Sequence, residues 1–150
     1  DMLLAAKEIL RVLKPGGKFA TTVWSSAEKN FWATAISETI SKHMQLSAPA
    51  PESPGIFRCS KSGLMTSIFA QTGFKNIIEN EITCQLKCGT AEIYWEMMNE
   101  IAAPIVAALS KADNAMKERI KKDVYKTINE KYPDGNVILD GSALLKYNKK

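Results

Sequence analysis

The chain has 150 residues, 45% of them hydrophobic and 24% charged, with a formal net charge of +4 at pH 7 and a pI near 8.9. Length and composition are those of one soluble globular domain, or part of one. The lysines are dispersed apart from residues 117–131 and the terminal Lys149 and Lys150, so the charge does not demand a nucleic-acid partner. No apolar run reaches the roughly 18 residues of a membrane span, and no basic segment followed by an apolar one opens the chain. The expectation is a cytoplasmic protein that binds neither membrane nor nucleic acid.

Cys59, Cys84 and Cys88 are odd in number and lack a secretory context, which argues for reduced thiols. Cys84 and Cys88 share a parity within a predicted strand and would point to one face as packing groups. The sole histidine, His43, is remote in sequence, so no metal site is expected.

Residues 2–13 carry Ile9, Leu10, Val12 and Leu13 at helical spacing, with Asp1 in the capping position. Pro15 forbids continuation, Gly16 and Gly17 allow positive φ, and Lys18 to Trp24 reads as a buried strand of a sheet covered on both faces. A helix is predicted from about Glu28 to Met44, with Phe31, Trp32, Ala35, Ile36, Ile40 and Met44 on one face. Gln45 to Arg58 holds three prolines and a glycine and reads as a surface loop, either a closing lid or a plain connector.

Ser60 is placed to cap a helix bearing Leu64, Met65, Ile68 and Phe69, with Gly73 as its left-handed stop. Lys75 to Cys88 alternates as a long strand with one wet side, and Asn80 breaks the pattern where a bulge or exposed end would sit. Thr90 can cap AEIYWEMMNEIAA, Pro104 kinks or restarts the chain, and the two pieces are apolar nearly all round. From Asp113 to about Lys131, Met116, Ile120, Val124 and Ile128 form a narrow seam on an otherwise solvated helix. A turn at Pro133 to Gly135 leads to Val137, Ile138 and Leu139, a second turn at Asp140 and Gly141, and a last strand over Ser142 to Lys149.

The stretch EILRVLKPGGKFATTVW, Glu8 to Trp24, closely resembles the part of class I S-adenosylmethionine-dependent methyltransferases where a helix ending in RVLKPGG feeds the fifth strand. GLMTSIFAQTGFKNIIENEI resembles the family's helix, AGF and strand signature, with Gln71 to Phe74 at its centre; AEIYWEMMNEIAAPIVAALSKAD resembles the helical insertion of a small-molecule group of the UbiE/methyltransferase-11 type, and DGSALLKYNKK the last strand. The resemblance implies an α/β fold: the C-terminal portion of a Rossmann-like sheet, with residues 90–131 as a substrate-side helical insertion. Lys18 to Trp24 would be the fifth strand, Lys75 to Cys88 would contain the sixth, and Ser142 to Lys149 would be an antiparallel seventh inserted between them.

The family's GxGxG turn and its ribose-binding acidic residue, which answer a need for close backbone approach and paired acceptors, have no counterpart here. Gly16 and Gly17 follow a helix and precede a strand, the reverse of a phosphate-cradling turn. The expectation is therefore a partial methyltransferase domain over residues 1–150, lacking its cofactor half and inactive alone. S-adenosylmethionine would be bound by the full-length protein and not by this chain.

Substrate-side candidates are Trp24 and Ser25 at the carboxyl end of a strand, where open α/β sheets place ligands, and Phe31, Trp32, Phe57, Arg58, Tyr94 and Trp95 as walls of an apolar pocket, with Arg58 facing an anionic group. Core packing is the alternative for each. His43 reads as a helix-end surface residue, and no catalytic base is identified. The implied partner is a small-molecule methyl acceptor. The alternative function is a non-enzymatic module that forms a homodimer, or binds a partner, through an exposed strand edge and apolar helices.

Overall fold

Asp1 accepts a hydrogen bond from the Leu4 N–H at 3.1 Å, and this cap begins the first element of the computed structural model, which describes residues 1–46 and 53–149. In chain order the elements are α1 (Met2–Val12), β1 (Lys18–Trp24), a 3-10 turn (Ala27–Lys29), α2 (Phe31–Met44), α3 (Leu64–Thr72), β2 (Lys75–Gly89), α4 (Ala91–Ile101), α5 (Ala103–Leu109), α6 (Asn114–Lys131) and β3 (Val137–Lys149). Residues 47–52, the centre of the proline-containing loop predicted over Gln45 to Arg58, lie outside the described residues.

The chain divides into two compact units. The first comprises residues 1–29, 51–83 and 142–150 and holds α1, β1, α3 and most of the sheet. Its strand order is β1-β3-β2, so the last strand lies in the middle, paired with both others. β3 runs antiparallel to β1, from Lys18 opposite Lys149 to Trp24 opposite Ala143. Glu79 meets Lys146 while Glu81 meets Ser142, so partner numbers fall along β2 as they rise along β3. β2 is thus antiparallel to β3 and parallel to β1.

Helices α1 and α3 pack on each other and on one face of this sheet. Ala6, Phe69 and Phe74 are buried there, with Ile9, Leu10, Leu13, Phe19 and Ile77 around them, and Phe69 meets Phe74 edge to face at 5.3 Å. Each fully buried side chain of this size contributes about 1.5–3 kcal/mol. The expectation that Lys18 to Trp24 is covered on both faces is corrected: Lys18, Ala20 and Thr22 are exposed, because among the described residues the helices cover only the odd-numbered side.

Ser60 does not cap α3. The capping position is Gly63 at φ +79, and the oxygen that receives its N–H comes from Glu79 on the neighbouring strand. Gly73 ends the helix in the left-handed region at φ +101, as its place after the apolar stripe predicts.

The second unit comprises residues 30–50 and 84–141. α2 packs on α5 and α6, and α4 packs on α5 and α6. Ile36, Ile40, Tyr94, Met98, Ile120, Val124 and Ile128 form the core with Val137 and Leu139. The four-residue seam of α6 thus faces inward, Asp113 capping it through the Met116 N–H at 2.7 Å. Thr90 caps α4, and Pro104 falls in the first turn of α5, where a missing N–H costs nothing.

Three further boundaries differ from the sequence reading. α2 starts at Phe31 because residues 27–29 form a separate 3-10 turn. β3 is continuous over Val137 to Lys149, so Asp140 and Gly141 lie within a strand and not in a turn; the ladder outweighs their turn propensity. β2 is exposed on both sides from Glu81 to Lys87, with Ile78, Ile82 and Leu86 accessible on its even-numbered side, in place of a single wet face. Its positive-φ residue is Asn76, and Asn80 is simply exposed.

Candidate functional site

Two cavities open at the carboxyl end of β1, both within the first unit. One, of about 420 Å³, is lined by Thr22, Val23, Trp24, Gly55, Ile56, Cys59 and Ala143 and is mostly apolar. The other, of about 410 Å³, is lined by Ser25, Ser26, Lys29, Ser60, Lys61, Ser62, Glu79, Glu81 and Leu144. Trp24 and its register partner Ala143 line the first, and Ser25 and Leu144 line the second.

In the polar cavity Glu79 is the hub. Its Oε1 accepts hydrogen bonds from the Ser62 hydroxyl at 2.7 Å and the Gly63 N–H at 3.1 Å, and its Oε2 accepts one from the Thr66 hydroxyl at 2.6 Å. The Lys146 Nζ lies 3.6 Å from the same Oε2. Burial pushes the Glu79 carboxyl up, but the donors Thr66, Ser62 and Gly63 and the Lys146 charge together hold it down at about 2. Glu81 receives both of its oxygens' bonds from Lys29, at 2.7 and 2.8 Å, and a further one from the Ser142 hydroxyl; the Lys29 hydrogen bond and then that of Ser142 hold it below the ordinary range. Carboxylates so engaged are poor proton acceptors at neutral pH. The cluster joins α3, β2, β3 and the turn after β1.

The apolar cavity has the features of a ligand site: an indole wall, an aliphatic wall in Ile56, and a thiol. The Cys59 Sγ donates to the Met2 Sδ at 3.4 Å. Cys59, Cys84 and Cys88 are all free; Cys84 is exposed, whereas Cys88 is half-buried and its thiol is pushed up by burial. No group of three metal-ligating side chains occurs among the described residues.

The predicted site residues fall in both units. Trp24 and Ser25 stand at the end of β1, where the Ser25 N–H donates to the Ser142 carbonyl at 2.9 Å. Phe57 and Arg58 belong to the same unit, in the turn before Ser60, with the Arg58 N–H donating to the Gly55 carbonyl. Phe31, Trp32, Tyr94 and Trp95 belong to the helical unit and pack in or against its core. The Tyr94 hydroxyl donates to the Trp32 carbonyl at 2.8 Å, and burial pushes its pKa well up. Phe31 meets Tyr132 edge to face, with the Lys131 ammonium 4.4 Å from its ring centre. His43, at the end of α2, pairs with Asp123 of α6 at 2.7 Å.

Sequence reasoning passed over Glu79, Glu81, Lys29 and Lys146. The signal was present in Lys146, a lysine two residues from Leu144 on one strand face. A cation on a buried face requires a carboxylate partner, and the ENE triplet of β2 holds the nearest ones.

No protein-family model matches the sequence, and no curated protein matches it. Among solved structures the chain is similar to Haemonchus contortus Phospholethanolamine N-methyltransferase 2 in complex with phosphomonomethylethanolamine and S-adenosylhomocysteine, at 18% identity and a TM-score of 0.38. The match covers 100% of this chain and 30% of that one, so this chain spans under a third of that chain's length. A likeness of that degree decides neither fold family nor activity. No helix among the described residues is long and apolar enough to cross a membrane.

Proposed function

We propose that the chain is the substrate-facing portion of an S-adenosylmethionine-dependent methyltransferase acting on a small molecule. The observation that carries the reading is the place of β3. The RVLKPGG and TGF resemblances require two parallel strands with the final strand inserted antiparallel between them, and β1-β3-β2 has that order and those directions. β3 lies beside both the strand before it in sequence and β1, and that agreement supports the motif pair.

Neither the Gly16–Gly17 turn nor the Glu79 and Glu81 carboxylates offer the cradle and free acceptors that the cofactor calls for. Gly17 is consumed by the turn into β1: its N–H donates to the Lys14 carbonyl at 2.8 Å, and a Cβ there would come within 2.9 Å of that oxygen. Gly16, at φ +76, has nothing within 4 Å of its Cβ position and forms no cradle. Glu79 already accepts from Ser62, Gly63 and Thr66, and Glu81 from Lys29 and Ser142. On this reading the cofactor would be held by protein atoms outside these 150 residues. What this chain contributes is the apolar cavity at Trp24, a place to orient a methyl acceptor beside the strand end.

The coding sequence preceding residue 1 tests the class. A strand followed by GxGxG and an acidic strand end, with methyl transfer from labelled S-adenosylmethionine by the longer product, is the expected result. A preceding sequence without that turn would sink the reading. Thermal shift of the 150-residue chain with S-adenosylmethionine tests the cofactor assignment separately: no change is expected, and clear stabilisation would show the cofactor site misplaced.

A further inference from the structure

Trp24 and Ala143, which face each other at the end of the β1–β3 register, both line the apolar cavity. Past them the Ser25 N–H donates to the Ser142 carbonyl at 2.9 Å. This end of β3 is weak on local grounds, because Asp140 and Gly141, which directly precede Ser142, are residues that strands disfavour. A side chain of the neighbouring strand holds it. The Glu81 carboxylate accepts from the Ser142 hydroxyl and from the Lys29 ammonium, the latter at 2.7 and 2.8 Å. Ser142 adjoins Ala143, and Lys29 closes the 3-10 turn that follows Trp24. One carboxylate thus grips β3 and the continuation of β1 just beyond the two residues of the cavity wall.

We infer that Glu81 is a positioning residue for the apolar cavity: held between Lys29 and Ser142, it fixes the strand ends that set Trp24 and Ala143 side by side. Glu81 lines the polar cavity and not the apolar one, so it acts through these two neighbours and touches no acceptor itself. The two grips are unequal. The Lys29 side chain is 56% exposed, and solvent screens its pairing; Ser142 is 3% exposed, and a hydrogen bond to a carboxylate there is the stronger constraint. The inference rests on the reading of the apolar cavity as the acceptor site.

Fluorine NMR of the chain labelled with fluorotryptophan reports on Trp24, Trp32 and Trp95, the three tryptophans, with Trp24→Phe assigning the first. Glu81→Met is expected to shift or broaden the Trp24 signal and to leave those of Trp32 and Trp95, which belong to the helical unit, in place. Amide hydrogen exchange at Ser25 is expected to rise at least about tenfold in that variant, while the amides of α1 and α3 keep their native rates. An unmoved Trp24 signal overturns the inference, and so does a common rise in all these rates, which would make Glu81 a general stabiliser of the first unit. Should Glu81→Met not fold, Ser142→Ala removes the buried grip alone and is expected to speed Ser25 exchange at least about threefold; an unchanged rate overturns the inference. Binding of naphthol, an uncharged aromatic probe, tests the acceptor-site reading separately. The native chain is expected to bind it with a shift of the Trp24 signal, and Glu81→Met to bind it at least about threefold more weakly. Native affinity retained in Glu81→Met overturns the inference. No binding by the native chain overturns the acceptor-site reading, while the Trp24 signal and Ser25 exchange still decide what Glu81 holds in place.

Discussion

The Lys146 ammonium lies 3.6 Å from the Glu79 carboxylate, with the lysine side chain 0% and the glutamate side chain 14% exposed. The Lys146 ammonium makes no hydrogen bond among the described residues, so this ion pair is what offsets the desolvation of its charge. Glu79 in turn holds the start of α3 through the Gly63 N–H and the Ser62 and Thr66 hydroxyls. One carboxylate therefore ties a cation of β3 to a helix that lacks a capping side chain of its own.

Glu79→Ala is expected to destabilise the fold by about 3–5 kcal/mol, because it strands a buried ammonium and uncaps α3. The paired change Glu79→Gln with Lys146→Met should cost less than the sum of the two single changes, with a coupling of about 1–3 kcal/mol in a denaturant-unfolding cycle. Strict additivity would show that the two side chains do not interact.

The same carboxylate sets an acid limb. Its pKa is about 2 folded against an ordinary 4.5, so the folded state favours the ionised form. The stability it contributes is whole above about pH 5 and is lost as pH falls toward about 2, amounting to about 3 kcal/mol at most. Unfolding curves between those limits should steepen with acid in the native protein and be flatter in Glu79→Gln. Parallel curves would remove Glu79 from the account.

In the helical unit, Tyr94 is fully buried and its hydroxyl donates to the Trp32 carbonyl at 2.8 Å. Tyr94→Phe should cost about 1 kcal/mol and Tyr94→Ala about 3–5 kcal/mol, measured by thermal or urea unfolding. If Tyr94→Ala left stability unchanged, the ring would not be the core anchor described above.

Gly17 and Gly16 separate two requirements at one turn. A Cβ on Gly17 would meet the Lys14 backbone oxygen at 2.9 Å, whereas a Cβ on Gly16 meets only its own strained φ of +76. Gly16→Ala is expected to cost about 1 kcal/mol, and Gly17→Ala more, because a backbone atom has to move. The reverse ranking in chemical denaturation would contradict this turn geometry.

The sequence by itself determined the elements whose cause is local. The stop at Pro15 to Gly17, the caps at Asp1, Thr90 and Asp113, the left-handed end at Gly73 and the inward seam of α6 all follow from side chains within a turn or two of the effect. The central place of β3 was legible only through resemblance, since nothing in residues 137–149 encodes which strands lie beside them. Tertiary structure alone decided that β1 is covered on one face, that Asp140 and Gly141 stay in a strand, and that Glu79, 16 residues from Gly63, caps α3 in place of Ser60. In each case the deciding partner is distant in sequence. Burial and hydrogen bonding across the fold outweigh the preference of about 1 kcal/mol that a local residue exerts on its own.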